Sequence, residues 1–400
     1  MNTEINLYLQ GMLNGESRQS SKAWPMDYWL VGSSLALIIL GLIMVGSASV
    51  SVAEKQAGNA FYFLWRQLLY TGIGVFIALI ITRIPLQTWQ SLGPWLIAVS
   101  LILLLLVFIP GLGRTVNGSA RWISVAGFNM QPSEVVKLFA VIYLAGYLVR
   151  QQHAIKTSLG GFLRPLALFV ILVLFLLLEP DFGAAAVILT TAVMMMWLGG
   201  VRVTQFAVLV VSVAGVLFVL ALISPYRLQR MTAFMNPWAD PFDSGFQLTQ
   251  ALIAFGRGEW FGVGLGSSVQ KLFYLPEAHT DFLFAVLAEE LGLVGVVIVM
   301  LLFTILVLRA LHIGRSAEKR ERPFAGFIAY GLGIWIGLQA FINIGVNMGV
   351  LPTKGLTLPF MSYGGSSIVV MCTALGLLLR VDYETRRDDR NTQRSKHPVW

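Results

Sequence analysis

One short segment of the chain gathers residues that could move protons. The segment LPEAHTDFLFAVLAEE at 275–290 contains four carboxylates and a histidine, in a chain of 400 residues with only 20 acidic residues and four histidines. A carboxylate beside a hydroxyl group can act as a general base, and histidine titrates near neutral pH. The segment is therefore the first candidate for a catalytic site. Its acidic residues are Glu277, Asp281, Glu289 and Glu290, and its histidine is His279.

The same segment carries signals for the start of a helix. Pro276 lacks a backbone donor and disfavours helix at the preceding residue, which predicts a break there. Thr280 is the predicted N-cap, so Asp281 falls in the first turn, where the helix dipole stabilises a carboxylate. Glu289 then lies about 12 Å deeper and about 80° around the helix, so it could border the same crevice as Asp281. Glu290 points about 180° away and is predicted to be a structural partner. Local physics leaves Asp281 as either a helix start or a catalytic group.

Ionisable residues also occur inside apolar segments, where they are costly and by default suggest function. Glu134 and Lys137 are three residues apart in QPSEVVKLFAVIYLAGYL, so they share a helix face and can pair. Two readings remain open: a structural ion pair near the helix mouth, or the lining of a polar cavity. The neighbouring Gln131 and Ser133 favour the cavity slightly.

Polar residues repeat at helical spacing further along the chain. Gln339, Asn343 and Asn347 are each four residues apart and must project from one helix face. Such amides either bond neighbouring helices or line a hydrophilic crevice. Arg66 and Gln67 lie about one turn into another apolar segment, where the arginine could extend to the outer interface.

These residues require a membrane-embedded framework. The chain is 56% hydrophobic and 12% charged, which excludes an ordinary soluble domain. Its apolar runs are long enough to cross a bilayer, so we predict an all-α, polytopic integral membrane protein. The ten predicted transmembrane helices are 28–50, 61–82, 94–110, 133–149, 162–179, 183–200, 204–224, 281–308, 324–350 and 365–380.

Basic residues predict the orientation of this framework. They concentrate in segments that lie on one side if both termini are cytoplasmic, as the positive-inside rule requires. Residues 1–27 and 381–400 then form flexible cytoplasmic tails that flank a 28–380 membrane domain. The long 225–280 connection between helices 7 and 8 is extracytoplasmic, and its FQLTQALIAFG piece predicts a helix within it. The net charge of +8 is juxtamembrane, so nucleic-acid binding is not expected.

Several motifs carry no further chemistry. The glycine-rich GRGEWFGVGLG at 256–266 follows no strand, so it is not a dinucleotide site, and its glycines predict tight turns and close backbone approach. The single cysteine, Cys372, excludes a disulfide framework.

Four long stretches together resemble the SEDS family (shape, elongation, division and sporulation proteins) and look most like its division-type branch. The stretches begin GSARWISVAGFNMQPSEVVKLF at 118, EPDFG at 179, RMTAFMNPWADPFDSGFQLTQALIAFGRG at 230 and NIGVNMGVLPTKGLTLPFMSYGGSS at 343, and the third continues through LPEAHTD. The resemblance implies ten spans and a peptidoglycan polymerase. Its substrate would be lipid II, a disaccharide-pentapeptide on undecaprenyl diphosphate, used on the outer face of the bacterial cytoplasmic membrane at the division septum.

The resemblance also implies roles for particular residues. The acidic residue of the family's HTD motif falls on Asp281, which is the expected catalytic base. Outer basic residues that could hold the departing diphosphate include Arg114, Arg227, Arg230 and Arg257. Mg²⁺ or Mn²⁺ is an expected cofactor with unknown ligands, and no organic cofactor is expected. A class B penicillin-binding transpeptidase and other division proteins are the expected partners. The predicted substrate-binding residues are Lys354, Arg121, Trp122, Glu134, Lys137, His279, Arg66 and Ser366.

Two other functions are compatible with the same residues. A transporter that moves lipid II across the membrane would also need a polar crevice with Glu134 and Lys137. The chain has no evident inverted repeat, which many transporters show, and its unusual residues cluster on one face. A non-catalytic division scaffold is the other alternative. Which partners activate the protein, and its oligomeric state, cannot be read from the sequence.

Overall fold

The protein is a bundle of apolar helices that are joined by short turns on one side and longer loops on the other. The computed structural model describes residues 27–116, 119–125, 128–223, 234–243, 245–272, 274–353 and 355–396. The principal helices are α1 (Tyr28–Ala57), α2 (Tyr62–Ile81), α3 (Leu86–Leu106), α4 (Pro132–Arg150), the short α5 (Gln152–Thr157), α6 (Leu159–Leu178), α7 (Phe182–Leu198), α8 (Val203–Ile223), α9 (Phe246–Gly258), α10 (Leu283–Glu318), α11 (Pro323–Asn347) and α12 (Gly365–Lys396).

The helices confirm a polytopic membrane protein. Within the described residues, eight helices are long and apolar enough to cross a membrane: α1, α2, α3, α4, α6, α10, α11 and α12. The remaining two predicted spans coincide with α7 and α8, and α7 is shorter than the other spans. The most enclosed spans are α4, α11 and α12, and α4 and α11 pack against each other and against α7. The bundle therefore has its centre at α4 and α11, the helices that carry most of the predicted intramembrane polar residues.

The segment between α3 and α4 departs from an all-helical fold. It forms a small antiparallel sheet of β1 (Gly113–Val116), β2 (Ser119–Val125) and β3 (Phe128–Met130), in the order β1-β2-β3. Arg114 on β1 pairs in register with Trp122 on β2. The strands are only three to seven residues long, and the sequence predicts no strands in this segment. The sheet places Arg121 and Trp122 above the N-terminus of α4.

Helix α10 contains a break that the sequence did not predict. Gly292 has φ 65° and ψ −165°, which is not helical. The glycine-rich segment inserts its backbone there: Leu293 N and Val294 N donate to Glu259 O (2.9 Å) and Trp260 O (3.2 Å). A Cβ on Gly292 would lie 2.4 Å from Gly262 N, so only glycine permits this contact. Within the 256–266 segment, the predicted close backbone approach is confirmed at Gly258 and Gly262, where a Cβ would lie 1.9 Å from Ala288 O and 2.1 Å from Glu290 O. At Gly256 and Gly266 a Cβ would meet open space.

Two buried carboxylates fix the outer loop on α10. Glu290 is fully buried, pairs with Lys271 Nζ (2.7 Å) and accepts a hydrogen bond from Ser47 Oγ on α1 (2.7 Å). This confirms its predicted structural role. The preceding Glu289 accepts from Arg257 Nη1 (2.9 Å), Val269 N (3.0 Å) and Gln270 N (3.3 Å), and from Ser268 Oγ. The predicted helix within the loop is confirmed as α9.

The C-terminal end differs from the flexible tail predicted for residues 381–400. Helix α12 continues without interruption to Lys396. Ion pairs hold its first extra turns: Asp382 accepts from Arg386 Nε (2.7 Å), and Arg386 Nη2 reaches Asp27 (3.1 Å). Asp27 also caps α1 through Leu30 N (3.0 Å) and pairs with Arg309 at the far part of α10. Three helices are thereby joined at the predicted cytoplasmic end.

Candidate active site

Asp281 lies in a turn just before α10, not within its first turn. The helix begins at Leu283, with Phe282 as its N-cap residue. The predicted N-cap, Thr280, is therefore wrong: its hydroxyl donates to Glu277 O (3.2 Å) and Glu277 Oε2 (2.8 Å). The Asp281 side chain is half-buried. Since Asp281 precedes the helix, its position is set by the backbone of the 279–282 turn.

Three consecutive carbonyl groups in this turn are held from outside it. His279 O accepts from Tyr363 N (2.9 Å), and Thr280 O accepts from Ser362 Oγ (2.6 Å). Asp281 O accepts from two α11 amides, those of Asn343 (2.9 Å) and Asn347 (3.0 Å). Because buried carbonyls need partners, this arrangement fixes the HTD backbone against α11 and the 358–363 turn. The predicted common face of the α11 amides is confirmed, and the amides bind backbone.

The other end of the same α11 face reaches the intramembrane ion pair. Lys137 Nζ contacts Glu134 Oε1 (2.8 Å) and Gln339 Oε1 (2.7 Å), and both charged residues are buried. Trp335 Nε1 also donates to Gln339 Oε1 (3.0 Å), and the Lys137 ammonium lies 5.5 Å from the centre of the Trp335 ring. The predicted pair is confirmed as a buried structural unit. The ion pair is connected by hydrogen bonds to the segment beside Asp281 through Gln339, whose Nε2 donates to Thr357 O (3.0 Å).

The 351–364 segment passes directly over Asp281. A Cβ built on Gly355 would lie 3.2 Å from Asp281 Oδ2, so the carboxylate abuts the backbone of the PTKG motif. Leu356 O accepts from Asn343 Nδ2 (2.6 Å), and Leu358 N donates to Ser362 Oγ (2.9 Å). Lys354 itself lies outside the described residues. The motif is thus next to the predicted base.

His279 is packed as part of an aromatic cluster. Its ring lies 4.8 Å from that of Phe63 and 5.6 Å from that of Tyr363, between ring centres. Its Nδ1 is buried without a hydrogen-bond partner in the described structure. Burial lowers the pKa of His279, and the nearby Glu277 carboxylate partly opposes this. A neutral, packed imidazole supports the turn that carries Asp281, and the contacts give no indication of direct substrate binding.

The predicted outer cation Arg66 lies beside this cluster on α2. Its guanidinium donates to Tyr62 OH and Tyr70 OH, both at 2.9 Å. The adjacent Gln67 is buried and binds the 362–364 segment: its Nε2 donates to Ser362 O (3.2 Å), and its Oε1 accepts from Gly364 N (3.3 Å). Arg66 therefore sits at the rim of the site with a half-buried charge.

A second group of predicted residues gathers around the EPDFG turn between α6 and α7. Arg121 donates to Glu179 O (3.2 Å) and Pro180 O (2.5 Å), so its guanidinium holds this turn. Asp181 caps α7 through Ala184 N (3.1 Å). It also accepts from two residues at the N-terminus of α4, Ser133 Oγ (2.8 Å) and Gln131 Nε2 (3.1 Å).

Glu179 in that turn was not singled out from the sequence. It is 1% exposed, and neither carboxylate oxygen has a hydrogen-bond partner in the described structure. Burial, together with the neighbouring Asp181, raises its pKa to about 8, and Arg121 lowers it. Glu179 is therefore neutral at pH 7. Ser366 at the start of α12 accepts from Gln131 N (3.2 Å), which connects this group to the Asp281 side of the site.

Two further predictions have different outcomes. Glu289 does not border a crevice with Asp281, because it is fully buried and committed to the outer loop. The helical-wheel argument failed because Asp281 is not part of the helix. Arg257 is paired with Glu289 and so is not free to bind an anion with its full charge, whereas Arg114 is exposed on β1. Arg227 and Arg230 lie outside the described residues.

The site can supply one carboxylate, on a backbone turn that is fixed by hydrogen bonds from α11 and from the 362–363 segment. In the described parts of the chain no three residues of the His, Cys, Asp and Glu types gather closely enough to hold a metal ion. Chemically, the arrangement suits proton abstraction from a hydroxyl group beside Asp281.

Comparisons with known proteins identify what the chain resembles. The family model for FtsW, RodA and SpoVE, described as a cell cycle protein, matches residues 28–387. A probable peptidoglycan glycosyltransferase FtsW of Nitrosococcus halophilus is 58% identical over 360 residues, which cover 90% of this chain and 93% of that protein. The corresponding protein of Coxiella burnetii is 54% identical over 368 residues, which cover 92% of this chain and 99% of that protein.

Solved structures agree with this resemblance. A chain of a peptidoglycan synthase complex that coordinates polymerization and crosslinking matches with a TM-score of 0.75 and 28% identity, covering 91% of this chain and 99% of that one. The rod shape determining protein RodA of Thermus thermophilus matches with a TM-score of 0.66 and 28% identity, covering 89% and 96%.

Proposed function

The chain belongs to the FtsW, RodA and SpoVE family of cell cycle proteins, and on that premise we propose that it is a division-type peptidoglycan glycosyltransferase. The observation that carries the proposal is the fixed Asp281 turn, in a chain more than half identical to probable glycosyltransferases over nine-tenths of its length. The substrate is lipid II, and the reaction extends a glycan chain on the outer face of the inner membrane.

The chemistry requires one base at the acceptor. The 4-hydroxyl oxygen of one sugar forms a bond to the anomeric carbon of another, and the bond from that carbon to the lipid diphosphate breaks. Asp281 accepts the hydroxyl proton as general base. Diphosphate is a stable anion and leaves without protonation when positive charge stabilises it. One well-positioned carboxylate is therefore sufficient, and the fixed backbone of residues 279–281 supplies its position.

Cationic side chains of the outer face serve the leaving diphosphate. Lys354 directly precedes Gly355 in the sequence, and the Gly355 backbone abuts the Asp281 carboxylate. The other candidates for binding the diphosphate are Arg66, which is held by Tyr62 and Tyr70, and the exposed Arg114. Trp122, opposite Arg114 on the sheet, provides a flat apolar surface for a sugar ring or the lipid. The contacts of Arg121 make it a positioning residue for the EPDFG turn.

A divalent cation, Mg²⁺ or Mn²⁺, fits this proposal as an ion that would be bound jointly by the protein and the substrate. Asp281 and the substrate diphosphate would hold it, since the described chain has no cage of three metal-binding side chains. When bound, such an ion would neutralise charge on the leaving diphosphate. The residues of the chain orient the acceptor and hold the proton.

A partner transpeptidase also belongs to the proposal. The solved complex that resembles this chain couples polymerization to crosslinking. We assign the same kind of partner, a class B penicillin-binding protein, together with other division proteins at the septum. The fixed outer loop and exposed aromatic residues such as Trp238 and Phe261 lie on the face where an extracytoplasmic partner would act.

The transporter alternative receives less support from the geometry. The space beside Lys137, also lined by Thr191 and Trp335, has a volume of about 10 Å³, which holds about one water molecule. Lys137 pairs with Glu134 and also donates to Gln339. Their arrangement is that of a structural core.

The test uses the full chain with its partner transpeptidase, lipid II and Mg²⁺ or Mn²⁺. The wild type should produce glycan chains, and Asp281→Asn should reduce the rate by at least ~10²-fold, the range of a lost general base. Glu54→Gln, an exposed carboxylate at the outer end of α1, is the matched control and should retain the wild-type rate. Polymerisation by Asp281→Asn at the wild-type rate would refute the assignment. Translocation of fluorescent lipid II by a wild type that makes no glycan would favour the transporter.

A further inference from the structure

One amide group on α11 joins the two backbone segments that meet at the Asp281 carboxylate. Asn343 Nδ2 donates to Asp281 O (2.9 Å) and to Leu356 O (2.6 Å), so its two N–H groups are used on two different segments. The side chain is 2% exposed, and water cannot readily replace these bonds. Ser362 Oγ also bonds both segments, because it donates to Thr280 O (2.6 Å) and accepts from Leu358 N (2.9 Å). Asn343 differs in that its bonds are to the carbonyl group of Asp281 itself and to that of Leu356, the residue directly after Gly355.

The neighbours of Asn343 on the same helix face each serve only one of these segments. Gln339, one turn earlier, donates to Thr357 O (3.0 Å). Asn347, one turn later, donates to Asp281 O (3.0 Å) and accepts from Ala285 N (3.1 Å). Asn343 therefore sets the spacing between the two segments, whereas its neighbours fix each one separately to α11.

That spacing determines where the carboxylate lies. Asp281 Oδ2 is within van der Waals reach of the Gly355 backbone, since a Cβ there would be 3.2 Å away. Without a shared donor, two buried carbonyl oxygens would face each other with no bridging N–H group, and buried carbonyls must find partners. The segments would separate, and the carboxylate would move relative to the PTKG motif.

We propose that Asn343 is a positioning residue, which holds the Asp281 carboxylate at the correct distance from the 355–358 segment for proton transfer. The inference rests on the proposed function, because it assumes that Asp281 is the base. Asn343 acts through the backbone of its two partners and does not contact the reacting atoms. Its loss lowers the rate of the chemical step and leaves the affinity for lipid II unchanged.

The test compares isosteric substitutions at two positions of the same helix face. Asn343→Asp keeps the shape and removes both donors. Asn347→Asp also loses its bond to Asp281 O, yet its carboxylate still accepts from Ala285 N near the start of α10. We expect kcat to fall by about 100-fold for Asn343→Asp, as for a displacement near 1 Å, with KM within twofold of the wild type. Asn347→Asp should lose less than tenfold, because Asn343 still holds Asp281 O.

Asn343→Ala is the second variant, because it removes the donors without burying a charge. Folding of each variant is checked by its melting temperature and by co-purification with the partner transpeptidase. A folded Asn343→Ala protein with wild-type kcat, or one whose loss is entirely in KM, would overturn the proposal. Equal losses in the two aspartate variants would also overturn it, since the bridge would then have no special role. If Asp281→Asn retains activity in the same assay, the proposed function itself has failed.

Discussion

Replacing Glu289 with glutamine should release the outer loop from α10. Glu289 is fully buried, and its oxygens accept from Arg257, Ser268 and the backbone N–H groups of Val269 and Gln270. Glutamine has nearly the same shape, but one of its terminal atoms is an NH₂ group. If the NH₂ group replaces Oε2, the Ser268 hydroxyl and the Gln270 N–H group lose their acceptor and face another donor. If it replaces Oε1, the same happens to Arg257 and the Val269 N–H group.

The size of the effect follows from the number and type of bonds lost. Hydrogen bonds to a charged acceptor contribute about 1.5–3 kcal/mol each. Two lost bonds therefore predict a loss of about 3–6 kcal/mol in the free energy that keeps the loop closed, which overlaps the range of about 3–5 kcal/mol seen when a buried ionic group loses its partner. Arg257 differs because its side chain is 43% exposed, so its ion pair is screened by solvent. Arg257→Gln should cost only about 1 kcal/mol.

Amide hydrogen exchange can measure both variants at the loop itself. Exchange at Val269 and Gln270 should accelerate by at least ~100-fold in Glu289→Gln, since about 1.4 kcal/mol corresponds to a factor of ten. The same amides in Arg257→Gln should accelerate less than tenfold. Equal acceleration in the two variants would refute this reasoning, because the ion pair, and not the loop's main-chain donors, would then hold the segment.

Two further predictions concern stability. Gly262→Ala should lower the melting temperature more than Gly266→Ala: both glycines have left-handed φ values (79° and 83°), but only a Cβ on Gly262 meets a close neighbour, Glu290 O at 2.1 Å. Equal shifts would show that backbone strain alone matters. Glu179→Gln should change how stability depends on pH. Glu179 keeps its proton up to about pH 8 when folded and releases it near pH 4.3 when unfolded, so wild-type stability falls as pH rises between these values. The melting temperatures of the two proteins should diverge across this window, and parallel curves would contradict the assignment.

The sequence predicted the polar framework of the site well because it depends on regular helices. The four-residue spacing of Gln339, Asn343 and Asn347 places them on one face of any helix, and the structure confirms this. The Glu134–Lys137 pair was predictable for the same reason. Spacing could not show that the amides bind the backbone of residues 281 and 356, because those partners come from distant parts of the chain.

Features that depend on irregular backbone were not predictable. Gly292 sits in an apolar run that looks like continuous helix, and the break appears only because Glu259 O and Trp260 O satisfy its freed N–H groups. Thr280 and Asp281 match a helix start locally, yet tertiary bonds to Ser362 and Asn343 keep them in a turn. Glu179 belongs to the EPDFG stretch, but no spacing indicates its burial, which is created by the fold around one short turn.

The break at Gly292 also determines which part of the molecule governs the stiffness of the site. Residues 283–291 share main-chain hydrogen bonds with the 263–264 segment, through Glu289 O and Glu290 O. Beyond the break, α10 continues as a separate rod that is joined to α1 and α12 at its far end through Arg309 and Asp27. The short helix behind Asp281 therefore takes part of its main-chain hydrogen bonding from the 259–264 segment, where an unbroken helix would bond only to itself. The carboxylate is thus connected through backbone to that loop on one side and to α11 on the other.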